Sequence, residues 1–166
     1  MGDISVIMSA MQIFQLLLSA ILSIFPYMSG NNRACIERNF DDIAMVAEAA
    51  ERDMGVPPAV ILAVGFLETH LGCDQGEGGN WGAPISRTRR HTAGTPAQAA
   101  LALSHGYQVC HTWVGAISRF RSGQCRIPAR MANYPRNAVR LINRMSLIAG
   151  TPSPIPEDTT RRLCNR

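Results

Sequence analysis

The segment GVPPAVILAVGFLET, residues 55–69, contains nine consecutive residues without a polar side chain between a proline pair and a glutamate. Proline suits the first turn of a helix, so the pair at 57–58 predicts a helix that starts there and runs to about residue 71. A helix that is apolar on every side belongs in the middle of a core. The sequence therefore predicts a helical domain built around this segment.

Glu68 is the most informative residue of the segment because it stands at the end of the apolar helix, one turn above Val64 and Gly65. Removing a carboxyl group from water disfavours its charged form. A neutral carboxyl group is what a general acid working near neutral pH requires. The alternative is a glutamate that has simply emerged into solvent at the end of a helix.

The rest of the sequence predicts an all-α chain without strand pairs or internal repeats. Four further segments have apolar residues at helical spacing, namely 36–54, 97–104, 107–120 and 137–149. Thr95 followed by Pro96 is a helix start signal. Residues 31–35 and 72–94 are predicted to be loops. The tail from residue 151, with three prolines in five residues, is predicted to be an extended arm.

Length and composition limit the classes of protein to which the chain can belong. At 166 residues the chain has the length of one domain, and its 46% hydrophobic and 17% charged residues exclude a disordered chain. All 16 basic residues are arginine, and 13 of them lie from Arg87 onward against only two acids. Such a basic half attracts nucleic acid, anionic lipid or an acidic glycan, unless it is simply a solvated surface.

The amino-terminal segment has the composition of a membrane helix. Residues 4–32 carry no charge and residues 6–28 are almost wholly apolar, which exceeds the roughly 20 residues needed to span a bilayer. Asp3 stands where a secretory signal has basic residues. We therefore expect an uncleaved signal-anchor or transmembrane segment at 1–32, a domain at 33–150 and a Pro/Arg-rich tail at 151–166. A buried core helix is the alternative for the first segment.

Five cysteines in a protein of this size indicate an oxidising compartment, with two disulfides and one thiol left over. Free thiols in a reduced cytosol are the alternative. The sequence has no C-x-x-C pair, so a structural zinc site is not expected. The four histidines are too scattered to form a metal set, and we expect neither a metal nor another cofactor.

The glycine-rich segment GEGGNWGAP, residues 76–84, follows Glu68 closely. Glycine lets a backbone approach a ligand, while Asn80 offers an amide and Trp81 offers a flat face for a sugar ring. Beside a buried acid, this combination favours a carbohydrate cleft. A plain turn-rich connection has the same composition.

Residues 55–69 resemble the catalytic helix of the lytic transglycosylases related to goose-type lysozyme, a Pro-led apolar helix that ends in Glu-Ser or Glu-Thr. The pair Gly82-Ala83 resembles the beginning of the second motif of that family. Residues 116–123, AISRFRSG, are similar to its third motif, an Ala-Tyr-Asn-x-Gly stretch at the end of a helix. Order and spacing agree over residues 55–123, roughly two-fifths of the chain.

The resemblance implies a lysozyme-like domain that cleaves the β-1,4 bond between N-acetylmuramic acid and N-acetylglucosamine in peptidoglycan. Glu68 would protonate the leaving oxygen and then, as a carboxylate, take a proton from the muramic 6-hydroxyl to give a 1,6-anhydro product. Such a lyase would be a monomer in the cell envelope, facing the periplasm or the cell wall, with peptidoglycan strands and the membrane as partners. The predicted substrate-binding residues are Thr69, Asn80, Trp81, Gly82, Ala83, Tyr107, Gln108 and Phe120.

The sequence also departs from the motifs of that family. Residues 84–86 read PIS where the second motif continues to Gly and Gln, and Phe120 and Arg121 replace the Tyr and Asn of the third. If Tyr107 and Gln108, on a neighbouring helix, supply the missing hydroxyl and amide, the cleft is rebuilt; if they do not, the chain is a slow or inactive relative. Phe120 and the missing Gln favour the alternative of a non-catalytic membrane-anchored envelope or assembly protein with a decayed cleft.

Two further alternatives remain from the sequence. A hydrolytic lysozyme would need Asp74 or Glu77 as a second acid across the cleft. An Arg-rich nucleic-acid binder lacks any recognition motif, so nucleic acid is not an expected partner.

Cys110 and Cys125 lie on either side of the third motif, and a disulfide between them, the pairing we favour, would hold that wall of the cleft.

Overall fold

The computed structural model describes residues 9–74, 81, 94–127 and 129–164. Within these ranges the chain is all-α, as predicted, with eight α-helices, a short 3-10 helix at Ala129–Met131 and no strand. The α-helices are α1 (Ala10–Ile24), α2 (Gly30–Arg38), α3 (Phe40–Met54), α4 (Pro58–Thr69), α5 (Pro96–Cys110), α6 (Trp113–Ser122), α7 (Asn133–Ala149) and α8 (Glu157–Cys164).

Helix α4 is the central element, and it is the apolar segment that the sequence singles out. Every residue from Pro58 to Phe66 is buried. Helices α1, α3, α5 and α7 all pack against it, which is how a helix without a polar face is shielded from water. The helix closes with Leu71 N donating to Gly65 O over 3.0 Å, so Glu68 lies in its last turn.

The described part of the amino-terminal segment forms a core helix, α1, and not a membrane-spanning one, which corrects the expectation from its composition. A capping box between Ser9 and Gln12 starts α1, and one face of the helix packs against α3, α4 and α7. The residues on that face are Phe14, Leu17, Leu18, Ala20 and Ile21. Helix α1 therefore shares one core with the helices of residues 33–150. No helix in the described ranges has both the length and the apolar character needed to cross a membrane.

The helix boundaries of α2 and α3 also differ from the predictions. Residues 31–35 are helical, because Ser29 caps α2 at Gly30 and the helix continues to Arg38. Asn39, whose side-chain amide donates to Cys35 O over 2.8 Å, then separates α2 from α3, so the single helix predicted over 36–54 is in fact two. Gly55 ends α3 in the left-handed conformation, as its position predicts.

Helices α5 and α6 pack closely against each other. The capping box of Thr95 and Gln98 starts α5 as predicted, but the helix runs through the expected break at 104–107 and ends at Cys110. Gly106 explains the close approach, since a Cβ atom there would lie 3.1 Å from the backbone of Ala116 on α6.

The carboxy-terminal tail is only partly the extended arm that its prolines predict. Residues 151–156 are non-helical, but α8 follows and packs on α7. Arg136 donates to Leu163 O over 2.8 Å, and Asn143 donates to Thr160 Oγ1 over 2.8 Å. Acids in the first turn of α8 and arginines in its last turn suit the helix dipole.

Two disulfides join the helices, which confirms both the number predicted from the cysteine count and the favoured pairing. Cys110–Cys125 ties the end of α5 to the segment after α6, with the Cα atoms 5.3 Å apart. Cys35–Cys73 ties α2 to the turn that follows α4, with the Cα atoms 5.7 Å apart. Both bridges hold segments next to the ends of α4 and α6.

Candidate active site around Glu68

The Glu68 carboxylate is buried at the end of α4, with only 6% of the side chain exposed. Oε2 accepts a hydrogen bond from Arg121 Nη1 over 3.2 Å. Oε1 is buried and has no hydrogen-bond partner in the described part of the chain. A buried acceptor without a well-formed partner is costly, so this oxygen favours a nearby donor, either the Tyr134 hydroxyl or a ligand proton.

Arg121 comes from the last turn of α6 and connects the buried carboxylate to the surface. Its side chain is 47% exposed. Its guanidinium carbon lies 5.4 Å from the centre of the Tyr134 ring, within the range of a cation–π contact. The neighbouring Phe120 is a core residue with 7% exposure, so its packing holds the end of α6 in place while Arg121 reaches Glu68.

Tyr134, near the start of α7, completes the cluster. Its hydroxyl is buried, and the Glu68 carboxylate is the nearby acceptor to which it can donate. Burial, and after it the charge of the Glu68 carboxylate and the hydrogen bond between the two groups, raises the pKa of Tyr134 well above its ordinary value. The phenol therefore stays protonated and keeps an O–H donor within electrostatic reach of the carboxylate.

The residues that follow Glu68 shape the end of α4. Thr69 Oγ1 accepts a hydrogen bond from Gly72 N over 2.9 Å, which places this predicted binding residue in the helix cap. Asp74 pairs with His70 Nδ1 and accepts a hydrogen bond from Asn32 Nδ2 over 3.0 Å. These contacts tie Asp74 into a surface network, and no described contact joins it to Glu68.

Trp81 is a core side chain and not an exposed sugar platform. Only 1% of the residue is exposed, and its backbone N donates to Gly94 O over 2.8 Å. The indole lies directly on Gly65 of α4, where a Cβ atom would overlap it. Gly65 is therefore the position at which the central helix admits the tryptophan.

Tyr107 and Gln108 are exposed on α5, and no described contact joins either residue to Glu68. Tyr107 stacks on Trp113, with the ring centres 4.3 Å apart, and lines a cavity with Ile155 and neighbouring residues of the tail. No described contact therefore supports the expectation that Tyr107 supplies the missing hydroxyl of the third motif. The buried hydroxyl near Glu68 belongs to Tyr134, which sequence reasoning missed because no motif marks it.

Four candidate site residues named from the sequence lie outside the described ranges, namely Asn80, Gly82, Ala83 and Glu77. Within those ranges, no group of three or more His, Cys, Asp and Glu side chains is suited to hold a metal ion.

Comparisons of this chain with known protein families, with curated proteins and with solved structures find no match. The resemblance to the lytic transglycosylases thus stays a prediction that rests on the motif residues. What the structure adds is the cluster of Glu68, Arg121 and Tyr134, formed where the ends of α4 and α6 and the start of α7 meet.

Proposed function

We propose that the protein is a peptidoglycan lytic transglycosylase in which Glu68 acts first as an acid and then as a base. The observation that supports this most directly is the carboxylate itself. It is nearly completely buried at the end of an apolar helix, and its Oε1 atom has no hydrogen-bond partner in the described chain. A desolvated carboxyl group with a free oxygen is suited to exchange a proton with a ligand.

One carboxyl group is sufficient for this reaction. The neutral acid gives its proton to the glycosidic oxygen, and the carboxylate then removes the proton of the muramic 6-hydroxyl, which closes the 1,6-anhydro ring. The protonated hydroxyl of Tyr134 is near enough to stabilise the carboxylate between the two steps. Asp74, the described candidate for a second acid, is occupied by His70 and Asn32.

The proposed location is the cell envelope, where peptidoglycan is found. The two disulfides support this location, because disulfides form and persist in oxidising compartments.

The test is digestion of purified sacculi by the full chain, with mass spectrometry of the released fragments. We expect anhydro-muropeptides from the wild type and a rate at least about 10²-fold lower from Glu68→Gln, because general acid–base catalysis contributes roughly 10²–10⁴-fold. Glu51→Gln is the matched control, since it removes the same charge from an exposed site on α3. Reducing-end fragments would indicate hydrolysis instead, and intact sacculi with the wild type would contradict the proposal.

A non-catalytic envelope protein with a lysozyme-like frame is the second candidate. It is favoured by the ion pair between Arg121 and Glu68, which occupies one oxygen of the candidate catalytic carboxylate. This candidate predicts that the wild type and Glu68→Gln bind sacculi equally and that neither releases fragments. Co-sedimentation with sacculi, followed by analysis of the supernatant, separates the two candidates.

A further inference from the structure

The guanidinium group of Arg121 lies at the boundary between a buried carboxylate and solvent. Of its five N–H donors, Nη1 reaches Glu68 Oε2 over 3.2 Å, which is the one hydrogen bond recorded for this group. About half of the Arg121 side chain is exposed, whereas Glu68 is nearly inaccessible. The exposed part of the guanidinium is thus accessible directly beside the candidate catalytic carboxylate.

No second acid of the described chain is paired with Arg121. The other recorded ion pairs lie elsewhere on the molecule, and they join Arg33 to Glu37, Arg52 to Asp53, His70 to Asp74, Arg161 to Glu157 and Arg162 to Asp158. Within the described chain, the exposed donors of Arg121 are therefore open to an anionic group of a bound molecule.

The remaining donors of Arg121 suit a carboxylate better than a neutral group. A ligand carboxylate offers the guanidinium two oxygens in fork geometry, which is a stronger contact than one bond to Glu68. Arg121 can make this contact from its exposed side, directly beside the candidate catalytic carboxylate.

We propose that Arg121 is a specificity-determining residue that binds a free carboxylate on the muramyl unit, directly beside Glu68. This inference rests on the proposed function. A muramyl sugar carries its carboxylate on the lactyl ether, and that group becomes a neutral amide where a stem peptide is attached. The favoured substrate class is therefore glycan with unsubstituted lactyl carboxylates.

The experiment compares two muramyl glycan fragments of the same length, one with free lactyl carboxylates and one with these groups reduced to alcohols. KM and the dissociation constant are measured for the wild type, Arg121→Gln and Arg121→Lys. For the wild type, we expect KM and the dissociation constant to be roughly ten- to a hundredfold lower for the carboxylate fragment than for the alcohol fragment, as for a hydrogen bond to a charged group. Arg121→Gln should reduce this ratio between the two fragments to about one, and Arg121→Lys should keep part of the ratio.

Arg126→Gln is the matched control, because it removes an exposed arginine from the segment that follows α6. It should retain the wild-type ratio, which shows that net charge alone is not the cause. An equal ratio in the wild type and in Arg121→Gln would overturn the inference, even if both cleave sacculi. If the wild type cleaves nothing, the proposed function fails, and the ratio of dissociation constants still decides whether Arg121 recognises the carboxylate.

Discussion

Helices α1 and α4 come from the two most apolar stretches of the chain, yet they are buried in different ways. Helix α4 is buried on all sides from Pro58 to Phe66. Helix α1 is buried on one face and exposes a stripe at every third or fourth position, formed by Gln12, Leu16, Ser19 and Ser23. Apolar content alone therefore does not distinguish a central helix, a helix on the edge of a core and a membrane helix, whereas the spacing of small and polar residues does.

Neighbouring helices account for this difference. Helix α4 has α1, α3, α5 and α7 around it, so no side of it needs to be polar. Helix α1 packs on α3, α4 and α7, and its remaining side meets solvent. Equivalent substitutions on the two faces of α1 should therefore change the free energy of unfolding by very different amounts. Substitutions on its buried face should lower this free energy about as much as substitutions in α4.

A charge on the buried face of α1 should have the largest effect. Leu18 is fully buried, so Leu18→Asp leaves an unpaired charge in the core and should lower the free energy of unfolding by about 3–5 kcal/mol. Ser19→Asp, one residue further on the exposed stripe, should change it by less than about 0.5 kcal/mol. Urea unfolding followed by circular dichroism, with both disulfides intact, measures the two values. Equal effects would mean that α1 is not part of the core.

Truncation of one leucine in each helix should have the next largest effect. Leu18→Ala in α1 and Leu62→Ala in α4 both remove fully buried side chains and should each cost about 3 kcal/mol, within the usual range for Leu→Ala. Leu16→Ala is the control, because 40% of Leu16 is exposed, and it should cost less than about 1 kcal/mol. A much smaller loss at Leu18 than at Leu62 would show that α1 only lies loosely on the surface of the core.

The sequence predicts the features of the fold that depend on local chemistry. The apolar helix after Pro57, the capping box at Thr95 and the helix ends at Gly55 and Gly150 are all where the pattern places them. The burial of Glu68 follows from the same pattern. Each of these features is decided by residues within about one turn of each other.

The features that the sequence misses depend on tertiary packing. The segment of α1 was expected in a membrane because hydropathy does not show whether lipid or protein covers an apolar face. The contact of Arg121 with Glu68 joins residues 53 positions apart, and Tyr134 lies on a third helix. No local pattern brings these side chains together, so the composition of the candidate site becomes visible only when α4, α6 and α7 are packed.

The smallest predicted loss of stability concerns the contact between Gly65 of α4 and the Trp81 indole. A methyl group at Gly65 would overlap the Trp81 indole, so Gly65→Ala should overpack the core, partly offset by the roughly 1 kcal/mol better helix propensity of alanine. The net loss in the free energy of unfolding should be about 1–2 kcal/mol. Gly30→Ala is the control, because space is open around Gly30 at the start of α2, and it should leave stability unchanged or slightly raised.

The double variant Gly65→Ala with Trp81→Phe sharpens this prediction, because the smaller ring makes room for the added methyl group. We expect the two changes together to cost less than the sum of the single changes, since residues in direct contact are energetically coupled. Additive losses, or a Gly65→Ala variant as stable as Gly30→Ala, would show that the indole does not lie on α4. In that case Trp81 would again be available as the sugar platform that its position after Glu68 predicts.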